Sequence, residues 1–261
     1  MHPIVTQIYE IQTPAEAEKI IGMGVDHVGT VLVSKEQWKH PEISDTRKVV
    51  RELKAQSSLI PLFSDPDTVY AATAHYRPDI LHLCEHLDCH RSTGCEALIK
   101  LQAGIRKRFP AVRIMRSIPI APAGFEKRVP TLELARIFEP VSDLFLTDTL
   151  LISNDPQPVA GFVGITGETC DWKTAAQLVQ QSAIPVILAG GLAPENVTAG
   201  IMAVKPAGVD SCTRTNTIAA DGKPVRFKKD MRRVRAFVEQ TRRAEQALAK
   251  QQGGTLDFEI A

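Results

Sequence analysis

The sequence predicts a single (β/α)8 barrel, and three observations support that prediction. The chain has 261 residues, a length that α/β barrels commonly use for one domain. Short runs rich in β-branched residues alternate with helical patterns from end to end, as in parallel α/β folds. Eight such units favour a closed barrel over the alternative, an open doubly wound sheet. We assign residues 1–250 to the barrel and residues 251–261 to a loose C-terminal tail.

The first unit shows how the elements are identified. Residues 4–11 form a run rich in β-branched residues that predicts a strand, and Thr13, Pro14 and Glu16 supply an N-cap, a first-turn proline and a capping-box acid. Seven further strands are predicted at residues 27–33, 59–63, 79–83, 113–118, 143–147, 185–189 and 208–211. The run 185–189 is almost wholly apolar, which is typical of a strand buried on both faces.

The helices are predicted between these strands. The second helix is expected to begin at Ser44 or Asp45, either of which can act as its N-cap. The others are predicted from residue 66 towards 75, then at 96–109, 132–138, 174–181, 194–204 and 228–250.

Composition and charge exclude several classes of function. Thirty-one Lys and Arg residues against thirty Asp and Glu give a formal charge of +1, so no global field favours nucleic acid or an anionic membrane. The first residues contain neither a basic nor an apolar signal segment. Five cysteines without a small-scaffold pattern favour thiols in a reducing compartment over a disulfide framework. We therefore predict a cytoplasmic protein without a nucleic-acid or membrane partner; the sequence predicts no oligomeric state.

Gly190 and Gly191 directly follow the predicted seventh strand. Barrel enzymes place their active sites at the C-terminal ends of the strands, often with phosphate after strands seven and eight. A glycine pair lets backbone N–H groups approach an anion without obstruction, and a following helix adds its positive end. A tight βα turn explains the pair equally well. If the pair binds phosphate, a β-branched residue at Gly191 should obstruct it.

Three strings in the C-terminal part share order and spacing with one family. They are GITGETCDW at 164–172, PVILAGGLAPENV at 185–197 and KPAGVD at 205–210. The chain resembles the phosphoribosylanthranilate isomerase family, barrels of tryptophan biosynthesis. The N-terminal half resembles it more weakly, through Val28, Gly29, Thr30 and Val31.

The resemblance implies an Amadori rearrangement of a phosphorylated sugar. An acid protonates the ribose ring oxygen, the ring opens to a Schiff base, and a base removes the C2 proton. The family's acid at the end of strand six corresponds to Asp148 in the string FLTDT. Phosphate binding is expected at Gly190 and Gly191, and at Ser211 and Arg214 where the family has an SSG-type turn.

The first strand departs from the family pattern. The family's KICG-type motif carries the base on its cysteine, but Gln7, Ile8, Tyr9 and Glu10 stand there. Tyr9 occupies the cysteine position, and its ordinary pKa near 10 makes it a poor base at neutral pH. The family's substrate arginine after strand two also has no clear match.

Strand four carries a dense group of His and Cys residues. His82 is the second candidate for a replacement base, because imidazole titrates near neutral pH. Alternatively, a metal such as Zn²⁺ could bind at His82, Cys84, His86 and Cys89. A solvated loop with incidental Cys and His explains the group without a metal, and no other cofactor is predicted.

Three functions remain open at this stage. The first is a phosphoribosylanthranilate isomerase with a relocated base, for which the catalytic candidates are Asp148, Tyr9 and His82. The second is a divergent phosphate-binding barrel with a different, metal-assisted reaction. The third is a non-catalytic relative that keeps ligand binding. All three imply a phosphorylated small-molecule ligand.

Overall fold

In the computed structural model, which describes residues 3–87, 92–152 and 157–253, eight parallel strands close into a barrel. Each strand pairs with the next and the eighth pairs with the first, so the sheet has no free edge. The predicted barrel is confirmed, and the open sheet is excluded. The strands are Val5–Ile8 (β1), His27–Leu32 (β2), Gln56–Pro61 (β3), Ile80–Leu83 (β4), Arg113–Ile120 (β5), Leu144–Thr149 (β6), Val186–Leu188 (β7) and Gly208–Ser211 (β8).

Helices connect the strands on the outside of the barrel. Several begin where side chains satisfy the free N–H groups of the first turn: Asp65 accepts a hydrogen bond from the Thr68 N–H, and Asp171 accepts one from the Thr174 N–H. The helices are Pro14–Ile21 (α1), Pro41–Glu52 (α2), Pro66–Tyr76 (α3), Ser92–Arg108 (α4), Thr131–Phe138 (α5), Trp172–Gln181 (α6), Val197–Val204 (α7) and Met231–Gly253 (α8).

The apolar core has two parts. One fills the inside of the barrel and includes Val31, Met115, Leu146 and Ile187. The other lies between the strands and the surrounding helices, where residues such as Phe237 are fully buried. The inward-facing side chains thus form a packed barrel interior.

A two-stranded hairpin separates β8 from α8. Its strands are Asn216–Ile218 (β9) and Pro224–Lys229 (β10). The prediction that the last helix begins at residue 228 is wrong for a tertiary reason. The Lys229 ammonium is buried and donates to Asn216 Oδ1 at 2.5 Å and to the Cys212 carbonyl at 2.8 Å. Asp230 then accepts from the Arg232 N–H, so the helix begins after it.

Other boundaries and expectations also differ from the structure. Helix α2 begins at Pro41, ahead of Ser44 and Asp45, because the proline fits the first helical turn. Helix α8 runs to Gly253, three residues into the predicted tail, whose remainder lies outside the described residues. The expectation of free thiols holds for Cys84, Cys170 and Cys212, whereas Cys95 is disulfide-bonded. In the described ranges, no helix is long and apolar enough to span a membrane.

Candidate active site

A cavity opens at the C-terminal ends of the barrel strands. Its floor and walls come from strands on opposite sides of the barrel and from the loop after β6. Asp148, Gly190, Gly191 and His82 all line it, so the structure brings these four candidates together at one end of the barrel.

Asp148 stands near the end of β6 and is half-buried in the cavity wall. Burial raises its pKa from 3.8 to about 7, although the Thr149 N–H donates to one carboxyl oxygen at 3.0 Å and acts in the opposite direction. The loop after β6 covers the carboxyl at Gly164, where a Cβ would overlap with it. The group is therefore partly shielded from solvent and able to hold a proton near neutral pH.

Asp210 is a second carboxyl in the same cavity, and the sequence analysis did not assign it a role. It lies in β8, is 7% exposed, and accepts a hydrogen bond from Gln7 Nε2 at 3.1 Å. Burial raises its pKa from 3.8 to about 7, with a further contribution from the charge of Asp148. The available signal was its position as the last residue of the string KPAGVD, directly before the residues that replace the family's SSG-type turn.

Tyr9 and His82 lie deeper in the cavity and are joined by hydrogen bonds. The Tyr9 hydroxyl is 2.5 Å from Ser58 Oγ and 2.7 Å from His82 Nδ1, and His82 Nε2 is 2.8 Å from Ser117 Oγ. Gly29 makes room for this arrangement, because a Cβ there would overlap with the Tyr9 ring. These four polar side chains form a continuous chain across the barrel interior.

Burial moves both pKa values in this chain away from those of a base at neutral pH. It raises the pKa of Tyr9 well above 10 and lowers that of His82 to about 3, with the Arg116 charge as a smaller cause for His82. A phenol this weakly acidic and an imidazole this weakly basic remain neutral. Both candidates therefore contact the cavity, but the Tyr9 phenol keeps its proton and the neutral His82 imidazole is only a weak base.

The glycine pair packs against the loop after β6. Gly190 and Gly191 have φ values of +92° and +58°, which favour glycine. A Cβ at Gly190 would lie 2.5 Å from Thr149 Oγ1, and one at Gly191 would lie 2.6 Å from the backbone carbon of Glu168. A tight turn under a closely packed loop thus explains the pair without an anion.

The same turn still offers donors to the cavity. In the described ranges, the N–H groups of Gly191 and Leu192 have no hydrogen-bond acceptor. Arg214 also lines the cavity, and its Nε donates to the Gly167 carbonyl at 2.8 Å, which leaves its terminal nitrogens available. Ser211 lies beside them, but its hydroxyl donates to the Leu192 carbonyl at 2.8 Å.

The predicted metal ligands are only partly brought together. Both ring nitrogens of His82 are already hydrogen-bonded, and burial raises the pKa of the Cys84 thiol well above 9, which disfavours the thiolate that binds metal. His86 is exposed, and Cys89 lies outside the described residues. Within those residues, no group of three or more His, Cys, Asp or Glu side chains could hold a metal ion.

Comparison with known proteins agrees with the fold. Residues 7–240 match the family described as N-(5'phosphoribosyl)anthranilate (PRA) isomerase. The N-(5'-phosphoribosyl)anthranilate isomerase of Methanocella arvoryzae is 30% identical over 234 residues, which are 88% of this chain and 94% of that protein.

Solved structures show the same barrel. Phosphoribosyl anthranilate isomerase from Thermus thermophilus superposes with a TM-score of 0.65 at 18% identity, covering 92% of this chain and 99% of that one. A phosphoribosyl anthranilate isomerase in complex with reduced 1-(o-carboxyphenylamino)-1-deoxyribulose 5-phosphate superposes with a TM-score of 0.62 at 18% identity. It covers 92% of this chain and 98% of that one. At these identities the structures establish the fold alone.

Proposed function

The chain belongs to the N-(5'-phosphoribosyl)anthranilate isomerase family, and we propose that it isomerises phosphoribosylanthranilate with Asp148 as the acid and Asp210 as the base. The observation that carries this assignment is the presence of two carboxyls in one cavity, each with a pKa of about 7. A general acid or base is most effective when its pKa lies near the working pH. Neither Tyr9 nor His82 meets that condition.

The shape and polarity of the cavity fit such a substrate. At the β7 and β8 side, Arg214 and the free N–H groups of Gly191 and Leu192 can receive a phosphate. The opposite wall is apolar and consists of Val31, Ile60 and Leu62. A ligand with a phosphate at one end and an aromatic ring at the other would match the donors on one side and the apolar wall on the other. The ligand in the solved relative has both groups.

The two carboxyls can divide the chemistry. Protonated Asp148 gives its proton to the ribose ring oxygen, the bond from that oxygen to C1 breaks, and the nitrogen lone pair forms the Schiff base. Ionised Asp210 then removes the C2 proton, and the resulting enolamine tautomerises to the ketose. Because each charge disfavours the other, the pair holds a single proton more readily than none or two near neutral pH. This is the state that the first step needs.

The reaction assigned here needs no metal, because the carboxyls supply both proton transfers. Treatment with a chelator should leave turnover unchanged, whereas a metal at His82, Cys84, His86 and Cys89 that took part would make turnover chelator-sensitive. We further propose that the protein acts in the cytoplasm on a free phosphorylated small molecule.

The experiment that tests the function is a steady-state assay on phosphoribosylanthranilate that follows formation of the ketose. We expect turnover by the purified protein and losses of about a hundred- to ten-thousand-fold in Asp148→Asn and in Asp210→Asn. Asp221→Asn, at an exposed position in the hairpin, is the matched control and should be unaffected. No turnover by the folded wild type would refute the function, and full activity of Asp210→Asn would refute the base.

A further inference from the structure

We propose that Gln7 is the positioning residue for the base, holding Asp210 through a neutral amide that His27 fixes in orientation. The inference rests on the proposed function only in calling Asp210 the base. It concerns two residues, Gln7 and His27, that no comparison assigns to the site.

The three side chains form one row across adjacent strands. Gln7 in β1 is the register partner of Asp210 in β8 and of His27 in β2. Paired positions of neighbouring strands direct their side chains to the same face, and Asp210 lines the cavity. Gln7, His27 and Asp210 are 0%, 6% and 7% exposed, so the row is closed to solvent.

The hydrogen bonds give the amide a single orientation. Gln7 Nε2 donates to Asp210 Oδ1 at 3.1 Å, and Gln7 Oε1 lies 3.3 Å from His27 Nδ1. An ionised carboxylate can only accept hydrogen bonds, so the amide nitrogen must face Asp210. His27 Nδ1 is then the donor to the amide oxygen. Burial lowers the pKa of His27 to about 4, with the Arg113 charge as a second cause, so the donor is a neutral imidazole at neutral pH.

A neutral donor matters because of the other groups that face Asp210. The charge of Asp148 raises the pKa of Asp210, and the Lys229 ammonium lowers it; the buried Tyr9 hydroxyl and Cys212 thiol are also close enough to interact with it. Gln7 adds a hydrogen bond but no charge. A positive charge at this position would favour the ionised carboxylate and weaken it as a base.

This arrangement links two departures from the family motif. The motif that Gln7–Glu10 replaces has a lysine where Gln7 stands and the basic cysteine where Tyr9 stands. Loss of the cysteine removes a base, while replacement of the lysine by a neutral amide leaves Asp210 able to act as one. Together, Gln7 in place of the lysine and Tyr9 in place of the cysteine move the base from the first strand to Asp210 on the eighth.

The test is a direct titration of Asp210 by ¹³C NMR of carboxyl-labelled aspartate, with Asp210→Asn to assign the signal. Gln7→Lys should lower the pKa of Asp210 by about one unit or more, because an opposite charge at hydrogen-bond distance has an effect of that size. Gln7→Met is similar in shape and should raise the pKa, because it removes the donor. Gln12→Lys is the matched control: Gln12 bonds to the Val31 backbone, and the variant should leave Asp210 unchanged.

The pH profile of kcat/KM gives the second readout. Its acidic limb should move with the pKa of Asp210, down in Gln7→Lys and up in Gln7→Met, which a purely structural role of Gln7 would not produce. An unshifted Asp210 titration in both Gln7 variants would overturn the proposal, as would a shifted titration with an unmoved limb. If the wild type has no turnover, the proposed function fails, but the NMR titration still decides whether Gln7 sets the charge of Asp210.

Discussion

Gly191 and Glu168 approach so closely that a Cβ added at Gly191 would lie 2.6 Å from the Glu168 backbone carbon. The contact joins the turn after β7 to the loop after β6, and backbone atoms on both sides leave little room for adjustment. Loss of phosphate binding in a Gly191 variant would therefore not identify a phosphate site. The effect of a Gly191 substitution on stability and its effect on phosphate binding must therefore be measured separately.

Gly191→Ala should destabilise the fold. Overpacking against fixed backbone commonly costs about 1–3 kcal/mol, so we expect a loss of that size in urea unfolding. Gly222→Ala is the matched control, since Gly222 also has a positive φ, of +81°, but has nothing within 4 Å of the added Cβ. Equal losses in the two variants would mean that backbone conformation, and not the clash, is the cause.

Arg214 allows the phosphate end to be tested without the glycine pair. Arg214→Met should weaken binding of the phosphorylated ketose analogue by about ten- to a hundredfold, since a charge-assisted hydrogen bond contributes about 1.5–3 kcal/mol. Binding of the dephosphorylated analogue should change much less. Calorimetry with both ligands measures the difference, and Lys223→Met, at an exposed position, is the control. Equal weakening of binding for both ligands would show that Arg214 does not bind the phosphate.

Tyr9→Phe and His82→Gln distinguish a structural chain from a catalytic one. Each change breaks hydrogen bonds between buried groups and should lower the free energy of unfolding by about 1–3 kcal/mol. Turnover of the folded protein should stay within about tenfold of the wild type, because a base contributes a hundredfold or more. A loss of turnover in Tyr9→Phe as large as that in Asp210→Asn would indicate that the Tyr9 phenol is the base.

The raised pKa values of Asp148 and Asp210 predict a pH dependence of stability. Both are about 7 in the folded protein, against 3.8 for the ordinary side chain. Between these values the unfolded chain releases protons that the folded chain retains, so unfolding becomes more favourable as pH rises. The stabilising contribution is thus fully present below about pH 4 and is lost by about pH 7.

Urea unfolding across this window checks the prediction. The double variant Asp148→Asn/Asp210→Asn should show a flatter profile than the wild type and should be the more stable protein above about pH 7, if the fold is otherwise unchanged. Asp221→Asn should reproduce the wild-type slope. An identical slope in the double variant would mean that other groups titrate there.

The ion pair between Arg116 and Glu85 joins the end of β4 to β5. Arg116 Nη1 lies 2.6 Å from Glu85 Oε2, and the arginine is 0% exposed. Glu85→Gln leaves a buried guanidinium without its counter-charge, which should cost about 3–5 kcal/mol in urea unfolding. Asp45→Asn breaks the exposed pair with Lys48 and should cost no more than about 1 kcal/mol. A similarly small cost in Glu85→Gln would show that water reaches the pair.

The sequence by itself determined the barrel, the end at which the cavity opens and the position of Asp148. Each of these depends on local pattern: the alternation of strand and helix signals, and short strings such as FLTDT whose residues stay together in any fold of this topology. The hairpin escaped prediction because Lys228 and Lys229 read as the start of a basic helix, and only the burial of Lys229 against Asn216 and Cys212 makes them the end of a strand.

Only the tertiary structure decided which side chains have a pKa near neutrality. Gln7 and Asp210 are 203 residues apart and Tyr9 and His82 are 73 apart, so no spacing in the sequence reveals either contact. The sequence favoured Tyr9 by alignment and His82 by its ordinary pKa. Burial raises the pKa of Tyr9 and lowers that of His82, so neither is an effective base, whereas burial raises the pKa of Asp210 to about 7. A pKa is set by desolvation and neighbouring charges, and these exist only once the strands have closed around the side chain.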